Sequence, residues 1–342
     1  MKGVLALEDG SVFAGESIGA PGRVFGEAVF TTSMSGYQEV ATDPSFEAQI
    51  VCFTAPMVGN YGTDPGRSES RRVHARGIVM REARGPGWIE WLRAHDVVAL
   101  TGVDTRSLVL HLRERGAMRA GLACGETQQA LVDEVRAQPE MAGRALARDV
   151  STADPYTYTK RGRARVAVVD YGCKRSIVRR LAAAGAAVDV FPHDVDADTV
   201  AGYDGVLLSP GPGDPAPLEP EAAMVGELLG RTEVLGVCLG HQLIARATGR
   251  TTFKLPFGHR GANHPVLEHR TGRVLVTAQN HGFAVAAGDD DGVTHASLYD
   301  GTVEGLALPE LRARSTQFHP EASPGPHDAR QVLEGWVAGL AA

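Results

Sequence analysis

The sequence predicts an α/β protein: a mixed α+β N-terminal region, then a mostly parallel sheet with helices on both faces. Three observations predict it. From Arg165 onward, apolar strands alternate with amphipathic helices. One strand-to-helix joint carries Gly236-Val237-Cys238-Leu239-Gly240. A polar stretch, residues 151–164, separates this alternation from a less regular pattern before it. The expected division is residues 1–150 as one domain, 151–164 as linker and 165–342 as the second domain.

With 342 residues there is enough chain for two or three domains and a sizeable core. A composition of 43% hydrophobic and 22% charged residues is that of a globular chain. The formal net charge of −7 gives no reason to expect a nucleic acid or an anionic membrane surface as partner. The opening residues, Met1 to Asp9, hold too short an apolar run for a secretory signal. No apolar run is long enough to span a bilayer. Cys52, Cys124, Cys173 and Cys238 are scattered with no Cys-x-x-Cys pair, which fits a reducing cytoplasm and no cysteine zinc site.

In the first half, Val4 to Leu7, Asp9-Gly10 and Ser11 to Gly15 read as a β-hairpin. Glu27 to Thr32 and Gln49 to Phe53 read as strands. Ser33 to Glu39 and Thr42 to Ser45 read as glycine- and proline-punctuated loop. Trp88, Ile89, Trp91 and Leu92 share a short amphipathic helix. A second helix, capped by Asp104 or Thr105, carries Leu108 and Leu112 and stops at Gly116, and a third lies around Leu131 to Val135. This half shows no phosphate loop, and its composition alone assigns it no chemistry.

In the second half, Val166 to Val169, Ala187 to Phe191, Val206 to Leu208 and Val234 to Val237 read as strands. Lys174 to Ala184 and Glu221 to Leu229 read as helices between them. Val274 to Ala278 and Val303 to Leu308 follow as shorter strands, and Ala329 to Leu340 as a closing helix. The stretch holding His259, Asn263, His264 and His269 reads as a loop, and its histidine spacing matches no zinc pattern.

Cysteine between two glycines at a strand end has the form of a nucleophile elbow. The glycines leave room for a sharp turn, and the following helix N-terminus favours negative charge at the sulfur. The bland reading is a buried structural cysteine. A cysteine nucleophile needs a base, and the base an orienting group. His319-Pro320-Glu321 supplies both if the segment is extended, since residues two apart then share a side. A surface turn is the alternative. His241 leans over its own helical turn, His281 has no carboxylate near it in sequence, and Cys173 lacks flanking glycines. An attacked carbonyl also needs N–H donors for its oxyanion. Leu239 is the expected first. In the loop Ser209 to Pro215, Gly211 and Gly213 can donate where the prolines cannot.

These residues resemble the class I (triad) glutamine amidotransferases. The resemblance extends through Leu208 to Pro215, Phe257 to Pro265 and Ala278 to Val285. Asn280-His281-Gly282-Phe283 and His319 to Pro326 are similar to the small, glutamine-hydrolysing subunit of carbamoyl-phosphate synthase. Leu7 to Gly10, Thr32 to Glu39, Thr42 to Ser45, Gly59 to Gly62 and Asp104 to Arg106 resemble that subunit's own N-terminal domain.

The resemblance implies a flavodoxin-like second domain. It implies Cys238, His319 and Glu321 as catalytic residues, with glutamine contacts at Ser45, Gly211, Gly213, Leu239, Gln242, Asn280, Gly282 and Phe283. Ser45 would bring the N-terminal domain to the site. The implied chemistry is hydrolysis of L-glutamine through a γ-glutamyl thioester. The ammonia would pass through a tunnel to a large subunit that uses ATP, Mg and bicarbonate to make carbamoyl phosphate for arginine and pyrimidine biosynthesis. No metal or cofactor is expected on this chain. Pro210 and Phe318 stand where many relatives have Asn and Gly. A free-standing γ-glutamyl hydrolase and a catalytically silent regulatory subunit are the rival readings.

Overall fold

The structure, a computed structural model, describes residues 2–125, 128–288 and 292–341. The chain divides into two compact units. One is Met1–Met141 with Pro256–Arg260; the other is Ala142–Leu255 with Gly261–Ala342.

The first unit is built on a closed seven-stranded barrel. Around it run Lys2–Leu7, Val12–Ser17, Val98–Thr101, Gly77–Val79, Gln49–Phe53, Arg23–Thr31 and Met118–Cys124. The first two strands form the expected hairpin, with Ala6 opposite Val12 and Gly10 at positive φ in the turn. Alternation along each strand sorts side chains to two sides. Ile50 and Cys52 join Leu5, Phe30, Val79 and Leu100 in one core; Val51 and Phe53 join Tyr37, Ile78 and Trp88 in another.

The expected helices form at Pro86–Ala94, Thr105–Arg115 and Gln128–Arg136. The Asp104 carboxylate accepts from the Ser107 N–H, and Gly116 ends the second at φ 96°. The segment expected to be loop is partly helical. Tyr37–Thr42 is an α-helix entered from left-handed Gly36, and Pro44–Phe46 is a 3-10 turn capped by Asp43. Burial of Tyr37, Val40 and Ala41 overrides the turn-forming composition.

The second unit is a ten-stranded sheet. Its parallel part is Ala186–Pro192, Ala164–Asp170, Gly205–Leu208, Glu233–Val237 and Ala313–Thr316, in that spatial order. Helices cover both faces. Val166 and Val168 point to one side with Ile177, Leu181, Leu333 and Trp336; Ala167 and Val169 point to the other with Val225, Leu239 and Leu243. Beyond Ala313–Thr316 the sheet continues antiparallel through Val303–Leu308, Val274–Val285, Thr252–Glu268 and Val293–Ser297. The last of these also pairs back onto Val303–Leu308.

Two expectations are corrected here. Residues 151–164 are not all linker: Tyr156–Thr159 is an edge strand, antiparallel to Ala186–Pro192. The histidine-bearing stretch is not a loop: Thr252–Glu268 is one 17-residue strand. Its Pro256, Gly258, Gly261 and Pro265 hid the strand pattern.

Candidate active site

In the second unit, four parallel strands end on one side of the sheet, where chemistry gathers in folds of this kind. After Ala164–Asp170 comes Lys174. After Gly205–Leu208 comes the proline-glycine loop. After Glu233–Val237 comes Cys238, and after Ala313–Thr316 come His319 and Glu321.

The elbow is as sharp as the glycines predict. Cys238 sits at φ 53°, ψ −103°, a conformation side chains rarely adopt. Its N–H donates to the Thr316 carbonyl at 2.8 Å. The helix Leu239–Ala247 starts at the next residue. A Cβ on Gly236 would lie 2.6 Å from the Gly240 carbonyl carbon, and one on Gly240 would meet the Leu208 carbonyl. Both positions therefore require glycine. Cys238 is 2% exposed, its Sγ 3.7 Å from the Asn280 carbonyl oxygen.

His319 reaches this sulfur from a neighbouring strand end. Its N–H donates to the Ala278 carbonyl at 2.9 Å, in an isolated antiparallel bridge. The segment after it is a turn and not the expected extended pair. The Ala322 N–H donates back to the His319 carbonyl at 3.2 Å, with Pro320 at the second turn position. The turn still puts the carboxylate beside the ring: His319 Nδ1–H donates to Glu321 Oε1 at 2.6 Å. The other ring nitrogen is buried and has no hydrogen-bond partner in the fold, while the Cys238 sulfur lies near enough to act on the ring's charge.

Glu321 is fully buried, and the same Oε1 accepts from Lys174 Nζ at 2.8 Å. Lys174 is 3% exposed. It is the site residue that sequence reasoning missed. Arg180 Nε also donates to the Glu321 backbone carbonyl at 2.7 Å. Burial would raise the Glu321 carboxyl; the charges of Lys174 and then His319 hold it well below the usual carboxylate range. Burial would likewise depress His319. The Glu321 carboxylate and then the Cys238 sulfur outweigh it, keeping the ring protonated well above the ordinary imidazole range.

The proline-glycine loop approaches the elbow. A Cβ on Gly211 would strike the Tyr171 carbonyl oxygen and come within 2.8 Å of Leu239 Cδ2. Gly213 is at φ 93° against the Arg144 carbonyl. Leu239 opens its helix, so its N–H has no acceptor within that helix.

The remaining expected glutamine contacts of this unit cluster on two elements. Gln242 is buried on the elbow helix, its Nε2 donating to the Phe283 carbonyl at 2.8 Å and to Gln317 Oε1 at 3.0 Å. Asn280, Gly282 and Phe283 lie on the strand Val274–Val285. Ser45 belongs to the first unit, buried in the turn Pro44–Phe46, its hydroxyl without a hydrogen bond.

The competing bases have other partners. His241 is fully buried with Nδ1 2.8 Å from Ser315 Oγ. Burial, then the charges of Arg250 and His295, push it down to about 3, so it stays neutral. His281 contacts Gln279 and the Phe283 carbonyl. Phe318, fully buried, packs edge-on against His295 at 5.4 Å between ring centres.

Comparison with known proteins gives the family. The family described as glutamine amidotransferase class-I matches residues 167–337, and carbamoyl-phosphate synthase small chain, CPSase domain, matches residues 5–122. The carbamoyl phosphate synthase small chain of Syntrophotalea carbinolica is 43% identical, over 98% of this chain and 96% of its own length. That of Streptomyces coelicolor is 45% identical over 98% and 94%, and that of Escherichia coli O6:H1 41% over 98% and 96%. Two domain matches in series and near-complete coverage by these relatives place the chain in the carbamoyl phosphate synthase small chain family.

Proposed function

We propose that this chain is the glutaminase subunit of a glutamine-dependent carbamoyl-phosphate synthase. It hydrolyses L-glutamine at Cys238 and passes the ammonia to a large subunit. The observation that carries the reading is the buried series Cys238–His319–Glu321–Lys174, with the sulfur on a strained elbow and its base already oriented.

The chemistry follows from the residues. The Cys238 sulfur attacks the side-chain amide carbon, and the carbonyl oxygen becomes an oxyanion facing the N–H groups of Leu239 and Gly211. The tetrahedral intermediate collapses. The C–N bond breaks, and His319 gives its proton to the departing nitrogen, which leaves as ammonia. A γ-glutamyl thioester remains on Cys238. Water then attacks it as His319 takes a proton; the C–S bond breaks, and glutamate is released. Glu321 holds His319 Nδ1–H, so Nε2 is the nitrogen that exchanges protons with the reaction.

Gln242, Asn280, Gly213, Gly282 and Phe283 are the proposed glutamine contacts of this unit, and Ser45 that of the first. ATP and Mg belong to the large subunit's chemistry, in a cytoplasmic setting. An intact cysteine, histidine and glutamate favours catalysis over a silent regulatory role. The match along both units favours a synthase subunit over a free-standing γ-glutamyl hydrolase.

The test is Cys238→Ala in the complex reconstituted with the large subunit. Glutamine-dependent carbamoyl phosphate synthesis disappears and synthesis from added ammonium persists. Equal loss with both nitrogen sources overturns the reading.

A further inference from the structure

Beside the triad, a closed circuit of hydrogen bonds ties together the elements proposed to bind glutamine. On the strand Val274–Val285, Gln279 and His281 are two residues apart and share a side. His281 Nδ1 is 2.7 Å from the Phe283 carbonyl oxygen, and its Nε2 is 2.6 Å from Gln279 Oε1. Gln279 Nε2 is 2.9 Å from Glu304 Oε2 and 3.4 Å from Thr277 Oγ1.

The orientation of the Gln279 amide is set by chemistry. A carboxylate only accepts, so the NH2 group faces Glu304 and the oxygen faces His281; the reverse would oppose two acceptors. His281 then meets an acceptor at each nitrogen, the arrangement that a doubly protonated ring satisfies. A buried imidazolium needs a counter-charge. Glu304, fully buried on the strand Val303–Leu308, supplies it from the far side of one amide group.

The circuit closes through the elbow helix. The Phe283 carbonyl that accepts from His281 accepts also from Gln242 Nε2. That nitrogen donates to Gln317 Oε1, and the Gln317 N–H donates to the Glu304 carbonyl at 2.9 Å. Gln317 lies two residues before His319. Gln242, Gln279, His281, Glu304 and Gln317 are all buried.

We propose that Glu304 is a positioning residue for glutamine binding: through Gln279 it holds His281 as a donor on both sides, which clamps Phe283 and the segment from Asn280 against Gln242. The inference rests on the proposed function. It adds a residue that belongs to neither the triad nor the proposed substrate contacts.

The experiment compares glutamine hydrolysis by the reconstituted complex carrying the wild-type chain, Glu304→Gln, and Glu304→Gln combined with Gln279→Glu. Losing the charge raises the KM for glutamine about 10-fold to 100-fold, the span of a charge-assisted hydrogen bond. It leaves kcat within about threefold, and alkylation of Cys238 by iodoacetamide proceeds at the wild-type rate. The double variant moves the carboxylate one residue along the relay, where it accepts directly from His281, and returns KM to within about threefold of wild type. Packing alone gives no such recovery.

An unchanged KM in Glu304→Gln, or no recovery in the double variant, overturns the proposal. So does a loss of Cys238 alkylation together with binding. If Glu304→Gln alone does not fold, the double variant carries the test, since a carboxylate at 279 must then support near-wild-type KM. A wild-type complex that consumes no glutamine ends the functional reading itself, a failure seen before any variant is compared.

Discussion

Lys174 and His319 bind the same oxygen of one carboxylate: Nζ and Nδ1 lie 2.8 and 2.6 Å from Glu321 Oε1. All three side chains are buried. The lysine thus anchors the carboxylate that orients the base, from a strand end 147 residues earlier in the chain.

Lys174→Met removes one of the two side chains that hold a buried carboxylate, leaving His319 alone on that oxygen. We expect a loss of about 3 kcal/mol in stability, the usual cost of breaking a buried ion pair on one side. Chemical denaturation measures it. Adding Glu321→Gln costs less than the sum of the two single changes, because both act on one oxygen. Strict additivity contradicts the shared anchor.

The same cluster predicts a pH dependence. Glu321 is depressed in the fold, so its contribution is present above its unfolded value of about 4.3 and is lost as pH falls through the folded one. His319 is raised, so its contribution is full below about 6.5 and is lost as pH rises toward its folded value. Both are full only between about pH 4.3 and 6.5. The difference in melting temperature between wild type and Glu321→Gln is therefore widest in that window and narrows above it. Thermal melts across pH 4.5 to 9 read this, and a gap that widens with rising pH contradicts it.

Cys238 at φ 53° predicts a trade of stability against activity. Glycine accepts this backbone without strain, whereas alanine keeps the Cβ that strains cysteine there. Cys238→Gly is therefore expected to be more stable than Cys238→Ala by about 1 kcal/mol or more, both being inactive toward glutamine. Calorimetry on the two variants decides it, and a more stable alanine variant counts against strain at the elbow.

Gly211→Ala drives a methyl group into the Tyr171 carbonyl and lifts the loop from Leu239. Loss of one oxyanion donor lowers glutamine turnover by about 10²–10³. Carbamoyl phosphate synthesis from ammonium by the complex stays unchanged, as two parallel assays will show.

Much of this was legible because it is local. The glycines around Cys238 announce the elbow, and Glu321 beside His319 announces the orienting carboxylate, although the path between them is a turn and not an extended strand. Lys174 was not legible, since nothing near it in sequence says that a carboxylate at 321 will need it. Glu304 and Gln279 were hidden likewise, their pairing set by strand neighbours. Tyr156–Thr159 read as linker because an exposed edge strand buries too little to leave an apolar pattern. The histidine-bearing part of Thr252–Glu268 read as loop because its glycines and prolines outweigh its sparse apolar residues.

The pairing of the sheets bears on how this chain meets copies of itself. The barrel closes on itself, and Val293–Ser297 turns back onto Val303–Leu308, so neither offers a free border at those places. Among the described residues one open border of the large sheet is Tyr156–Thr159, four residues long, with an irregular register and Lys160 and Arg161 just after it. So short, kinked and cationic a margin is a poor template for another strand. Copies crowded together thus gain little by joining strands at this margin.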